Sequence, residues 1–412
     1  MFLCRSFLSI SCVLALFQGV NAAEFCTPPT PEVAGEYACH GALSEGTGGL
    51  LVFERAVSGK PLFIVGQWVD GQFAADGPEF VISAHETGPC WRPSAVLISD
   101  DEAFVVWADG ENQIQPPHYV GFGLKGSYIR RGEQPLTRTF DLISRNTVPS
   151  LDWIIEPSIA HSPLAKRIVI GGWAIENGLG GFGHNSFSTQ INWETDSPTL
   201  KGFQLQPSLA LGAISFQLSE PYVVGSSGNI LTEFTLRPGG EKTIFDFSDL
   251  SGEGTWDYPS VSYGPQGSTS LGVTLAYPDA SNPDGFRVKG YALRAYNAAG
   301  EITHEGVYTG ALPAVNNICR PTVAYSGSNP VAFLPIVAVD GTVQLLVAPI
   351  PAVGTDSRMS EQSGSLYPLP GALNQFRVIF LDEGAYGKAA LIASSGEASP
   401  RVCVWPSELI GF

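Results

Sequence analysis

The chain has 412 residues, with 39 acids against 22 bases and a formal net charge of −17. Such a balance lacks the basic face that nucleic acid or an anionic membrane requires, and Arg130-Arg131 is the one local basic pair worth noting. Charged residues make up only 15% of the chain and hydrophobic ones 44%, beside 47 glycines and 31 prolines, which argues against disorder and against a helical protein and points to strands and loops.

Residues 1–22 read as a secretion signal. Arg5 supplies the charged start, residues 7–20 are mostly apolar, and Val20-Asn21-Ala22 offers small residues for cleavage. After cleavage no stretch is apolar enough to span a bilayer as a helix, so the expected product is secreted or periplasmic. An oxidising compartment favours disulfides. The candidates are Cys26, Cys39, Cys90, Cys319 and Cys403. Sequence does not choose their pairing, and the odd count leaves at least one unpaired within a monomer.

Residues 23–47, rich in Pro, Thr and Gly, are expected to form an irregular lead-in to a folded domain over 48–412. Strand-like apolar runs then follow in chain order: 50–53 and 62–68, 93–98 and 103–107, 157–159 and 167–173. Over 230–237 the residues alternate, with Ile230, Thr232, Phe234 and Leu236 on one face and Leu231, Glu233, Thr235 and Arg237 on the other. The fullest unit runs through 259–263, 271–277 and 286–296; a sixth covers 321–325, 331–339 and 342–348; a weaker seventh covers 376–381 and 389–393.

One turn signal punctuates these runs seven times. Its copies are Trp68–Gly71, Trp107–Gly110, Trp173–Gly178, Gly225–Gly228, Tyr277 through Gly285, Val339–Gly341 and Leu381–Gly384, recurring about every 52 residues. Pro93, Pro157, Pro207, Pro259 and Pro321, each followed by Ser or Thr, open a further apolar stretch ahead of five copies. Strand, turn, strand at this period predicts an all-β fold: a single β-propeller, of seven blades with six or eight as alternatives. An outer-membrane barrel fits less well, because the runs are mostly shorter than lipid-spanning strands and are broken by proline.

The fifth unit, from Pro259-Ser-Val through Asp284-Gly285 to Ala292-Leu-Arg-Ala-Tyr-Asn-Ala-Ala-Gly300, resembles repeats of secreted and surface bacterial proteins that fold as propeller blades. That resemblance implies the architecture and an extracellular setting, but no single activity. An open ring would leave sheet edges unpaired. The run 400–405 is therefore expected to complete the first blade and bring Cys403 near the N-terminal cysteines or Cys90.

Motifs for chemistry are sparse. The six histidines are scattered without metal-ligand spacing. The stretch from Asp279 to Gly285 fits a turn better than a calcium loop. Gly225-Ser226-Ser227-Gly228 is one residue short of a nucleophile elbow. No cofactor is implied. The longest interval between signals, 110–157, carries His118, Tyr128 and Arg130, residue types that serve as base, acid and carboxylate neutraliser in polysaccharide cleavage. Trp107 and Trp173, at matching places in two units, suit packing between blades or, as the alternative, stacking on sugar rings. The leading functional expectation is a non-catalytic exported protein that binds a polysaccharide or an envelope or extracellular protein. The alternative is an extracellular carbohydrate-active enzyme, a polysaccharide lyase or glycoside hydrolase.

Overall fold

The computed structural model describes residues 26–27, 36–44, 46–55, 62–83, 90–110, 123–133, 139–143, 151–162, 167–176, 184–192, 199–207, 210–217, 220–227, 230–235, 242–246, 255–264, 268–279, 282–313, 321–368, 375–380, 389–395 and 398–405. These residues fold as a propeller-like succession of seven sheets, antiparallel but for one two-residue edge strand, with one short 3₁₀ turn at Glu361–Ser363.

A two-residue strand, β1 (Cys26–Thr27), opens the chain. Sheet I contains β2 (Glu36–Ser44), β3 (Gly48–Arg55), β4 (Phe63–Val69) and β5 (Phe80–Ser83). Sheet II contains β6 (Cys90–Ser99), β7 (Glu102–Asp109), β8 (Gly123–Arg130) and β9 (Thr139–Ile143). Sheet III follows as β10 (Leu151–Ser162), β11 (Arg167–Glu176), β12 (His184–Asn192) and β13 (Thr199–Pro207). Sheet IV is β14 (Ala210–Gln217), β15 (Glu220–Ser227), β16 (Ile230–Thr235) and β17 (Lys242–Asp246).

Sheet V holds β18 (Thr255–Tyr263), β19 (Thr269–Asp279), β20 (Asn282–Tyr296) and β21 (Ile302–Tyr308). Sheet VI holds β22 (Thr322–Ser326), β23 (Asn329–Val337) and β24 (Val343–Pro349); before its fourth strand the chain lends β25 (Arg358–Met359) to the edge of sheet V, in parallel with β21. That fourth strand is β26 (Ser365–Pro368). Sheet VII comprises β27 (Gln375–Phe380), β28 (Ala389–Ser395) and β29 (Ala398–Trp405), with β1 as its outer member.

First strands carry the contacts between sheets. The first strands of sheets I to V each pack on the first strand of the next sheet, and β27 and β28 of sheet VII pack on β2. Between sheets I and II lies an apolar slab containing Leu50, Val52, Ile64, Trp68, Ala95 and Trp107, all buried. A second slab between sheets II and III includes Val96, Phe104, Leu124, Ile159 and Ile170. A third, between V and VI, includes Tyr291, Leu293, Val323, Leu334 and Leu346. In sheet I, alternation along β3 divides its inward residues: Leu50 and Val52 face sheet II, while Leu51 and Phe53 join a separate cluster.

The Pro-Ser openers have a local cause in three sheets. Along β6, β10 and β18 the register slips so that Arg92-Pro93, Glu156-Pro157 and Tyr258-Pro259 each oppose a single residue of the second strand. A residue without an N–H fits where the ladder is already interrupted by a bulge. The same slip recurs in β2, where Tyr37-Ala38 opposes Glu54 without a proline.

Three expectations change. Residues 36–44, assigned to an irregular lead-in, are the first strand of sheet I. Residues 400–405 do not complete the first sheet: they belong to β29 in sheet VII, and the N-terminal β1 supplies the missing fourth strand there. The seam thus runs the opposite way from the expectation, head strand onto tail sheet. Trp68 lies in a third strand, whereas Trp107, Trp173 and Tyr277 lie in second strands, so the first turn signal is one strand out of phase. The last signal, Leu381–Gly384, is out of phase the other way, following the first strand of its sheet. Residues 1–22, the expected secretion signal, lie outside the described residues.

Candidate functional site

Antiparallel four-strand sheets have two ends of different character. At one end lie the first-to-second and third-to-fourth connections; at the other lie the second-to-third connections and the crossovers between sheets. Cross-sheet contacts show that sheets I and II share this orientation. At the first end Thr47 Oγ1 donates to Asp100 Oδ1 at 3.2 Å, and Arg131 pairs with Asp76 and sits 4.6 Å over the Trp68 ring. At the second end Glu54 meets Arg92. We call these the turn face and the loop face.

Loop-face ends of sheets I and II carry a polar cluster above the apolar slab. Glu54, on the slab side of β3 and only 4% exposed, accepts a hydrogen bond from the Arg92 backbone N–H at 2.6 Å. Arg92 has φ +49°, a left-handed conformation costly for a side-chain-bearing residue. The bulge with Pro93 imposes that turn, and the Glu54 carboxylate secures the N–H it exposes. Beside it, Ser83 Oγ and Cys90 Sγ lie 3.4 Å apart, both buried. Lys125 Nζ stands 2.8 Å from the buried carboxylate of Asp109 and 3.6 Å from Asp141. Trp107, opposite the Arg92-Pro93 bulge, is fully buried, and its Nε1–H has no hydrogen-bond partner among the described residues. On the other side of β3, Arg55 makes a two-pronged pair with Glu79, Nη2 to Oε1 at 3.0 Å, and lies 5.1 Å from the centre of the Phe53 ring.

The expected catalytic set is not brought together. Tyr128 lies in β8, its ring packed edge-on against Phe104 and Phe140 with centroids 4.7 and 5.9 Å away. Burial, and then the negative charge of Glu102, raise its phenol well above the ordinary range. Arg130 ends β8 on the turn face, exposed, and pairs with Glu102 and Glu133. Arg131 beside it pairs with Asp76 and Asp101, so the basic dipeptide is embedded among carboxylates. His118 falls outside the described residues, in the stretch between Asp109 and Gly123, strand ends that both belong to the loop face.

Trp107 lies inside the slab rather than on a surface, and Trp173 occupies the second strand of sheet III opposite Ile155. Of the cysteines, Cys90 is buried and forms no disulfide among the described residues, Cys26 and Cys403 are register partners, Cys39 sits opposite Phe53, and Cys319 lies outside the described residues. Among the described residues no His, Cys, Asp and Glu grouping suits a metal ion. The Glu54–Arg92 contact was missed from the sequence. Its available signal was an acid in the apolar run Leu50-Leu51-Val52-Phe53, two positions after an inward valine.

No family model matches the chain, and the curated proteins yield no match. Among solved structures, a polysaccharide lyase, Uly1, is similar with a TM-score of 0.55 at 8% identity, covering 89% of this chain and 90% of that one. The GH93 α-L-arabinofuranosidase of Fusarium graminearum gives a TM-score of 0.48 at 10% identity, covering 78% and 94%. The NanB sialidase from Streptococcus pneumoniae gives 0.45 at 7%, covering 87% and 83%. At these identities the first likeness speaks for the fold alone, and the other two scores carry no argument. What the first likeness establishes is that the chain shares its overall architecture with a polysaccharide lyase across nearly the full length of both.

Proposed function

We propose that the seven sheets are the blades of one closed propeller, exported from the cell, and that it is a carbohydrate-active enzyme, a polysaccharide lyase or glycoside hydrolase, acting at the loop face. The observation that carries this reading is the whole-length likeness to a polysaccharide lyase. It favours cleavage over the purely adhesive role to which the lack of motifs had pointed, because propeller scaffolds need no metal or nucleotide motif to cut a glycosidic bond. Packing of sheet VII on β2, together with the pairing of β1 with β29, supports the closed ring.

The loop face suits the task. The described ends of β7 and β11 and the starts of β8 and β12 meet there, Asp109 opposite Gly123 and Ile175 opposite His184, and the first of these pairs flanks the sequence stretch that holds His118. With a net charge of −17, an anionic glycan is held only where local cations offset that field, so neutral polysaccharides belong in the test panel beside uronate-containing ones. The test is incubation of the purified protein with that panel, following unsaturated uronate absorbance for lyase action and new reducing ends for hydrolysis. Product on at least one polymer, lost on boiling, is expected. Saturable binding with no product on any polymer would replace the enzyme by the binding protein.

A further inference from the structure

The seam of the molecule pairs two cysteines. In sheet VII the register sets Cys26 opposite Cys403 and Thr27 opposite Val402, while Leu391 partners Cys403 from the other side. β1 is therefore an outer strand held at two ladder positions. One net backbone hydrogen bond is comparable with the entropy cost of ordering the residue that makes it, so a strand of this length does not hold itself in place. Directly opposed residues in an antiparallel ladder have Cα atoms roughly 4.5–5.5 Å apart, inside the roughly 4.4–6.8 Å that a disulfide spans.

We propose that Cys26 and Cys403 are joined by a disulfide that fastens the N-terminal strand to the last sheet. Among the described cysteines this pair alone stands in register: Cys39 faces Phe53 and Cys90 faces Asp109. The bond forms by thiol–disulfide exchange. One cysteine thiolate attacks a disulfide oxidant such as oxidised glutathione, giving a mixed disulfide and releasing one thiol. The second thiolate then displaces the other half. Two cysteine thiols lose two protons and two electrons, and the oxidant leaves as two thiols. The cross-link encloses nearly the whole domain, and long closed loops constrain the unfolded chain most. This pairing rests on the register and stands apart from the proposed enzymatic role.

The test uses the full folded protein equilibrated in a glutathione redox buffer, so that it does not depend on export. Free thiols are alkylated, the protein is digested without reductant, and linked peptides are identified by mass. A linked pair containing Cys26 and Cys403 that separates on reduction is expected. A single proteolytic nick between those residues is expected to leave one full-length band without reductant and two bands with it. Either cysteine paired elsewhere, or both alkylated under these conditions, would overturn the assignment. The C26S/C403S double variant is expected to melt lower by roughly 5 °C or more, matching reduced wild type. Should that variant fail to fold, the peptide map of the native protein decides alone.

Discussion

Glu54 in the second strand of sheet I accepts a 2.6 Å hydrogen bond from the backbone N–H of Arg92 in the first strand of sheet II. The contact joins two features that recur along the chain: the residue opposite a first-strand bulge, and the bulge itself. Removing the carboxylate strands a buried donor at a residue already in a left-handed conformation. Glu54→Ala is expected to cost about 1–3 kcal/mol, measured by urea unfolding, with Glu54→Gln recovering most of the loss. Equal losses in Ala and Gln would mean that the acceptor is irrelevant and only packing matters.

Trp107 separates packing from sugar stacking. Its ring is fully buried between sheets I and II, so Trp107→Ala is expected to cost about 3–5 kcal/mol of stability. Trp107→Phe is expected to leave any polysaccharide affinity unchanged. A drop in affinity at constant melting temperature would instead place Trp107 in a binding site.

His161 couples sheet III to sheet II and should make stability fall in acid. Its Nδ1 lies 2.8 Å from the Leu97 carbonyl, which fixes that nitrogen as the donor, and burial lowers its pKa in the folded state below the ordinary 6.5. With the folded pKa depressed, the unfolded chain binds more protons in the window below about 6.5. The histidine's contribution is complete above that pH and is lost as the pH falls through it. Melting temperatures followed from about pH 7.5 down to about pH 5 should therefore decline less steeply in His161→Gln than in wild type. Parallel curves would contradict this.

Arg130 and His118 are expected to part company. Arg130 is exposed on the turn face among Glu102 and Glu133, so Arg130→Ala should leave the melting temperature and any polysaccharide cleavage unchanged. His118→Ala is expected to abolish cleavage with folding intact. Loss of activity in Arg130→Ala alone would move the site to the turn face.

Much of the architecture was readable before any coordinates. Five of the seven turn signals mark second-to-third connections, because an Asp or Asn beside Gly is needed to turn between two apolar strands. Glu36–Ser44 was opaque: it holds no Val, Ile or Thr, the β-branched residues that mark a strand. The seam was misassigned because the strand that completes sheet VII is two residues long, too short for periodicity to register. The site was scarcely legible. Tyr128 and Arg130 are near neighbours in sequence, yet one ring is packed between Phe104 and Phe140 and the other side chain lies at an exposed turn. Glu54 and Arg92 are 38 positions apart and meet only because adjacent sheets stack.

The loop-face assignment is tested most directly by hydrogen exchange of the protein with and without a polysaccharide it cleaves or binds. Slowed exchange is expected in the segments between second and third strands, 111–122 and 177–183 foremost. Protection confined to the turn face, at 45–47, 131–133 or 297–301, would contradict it.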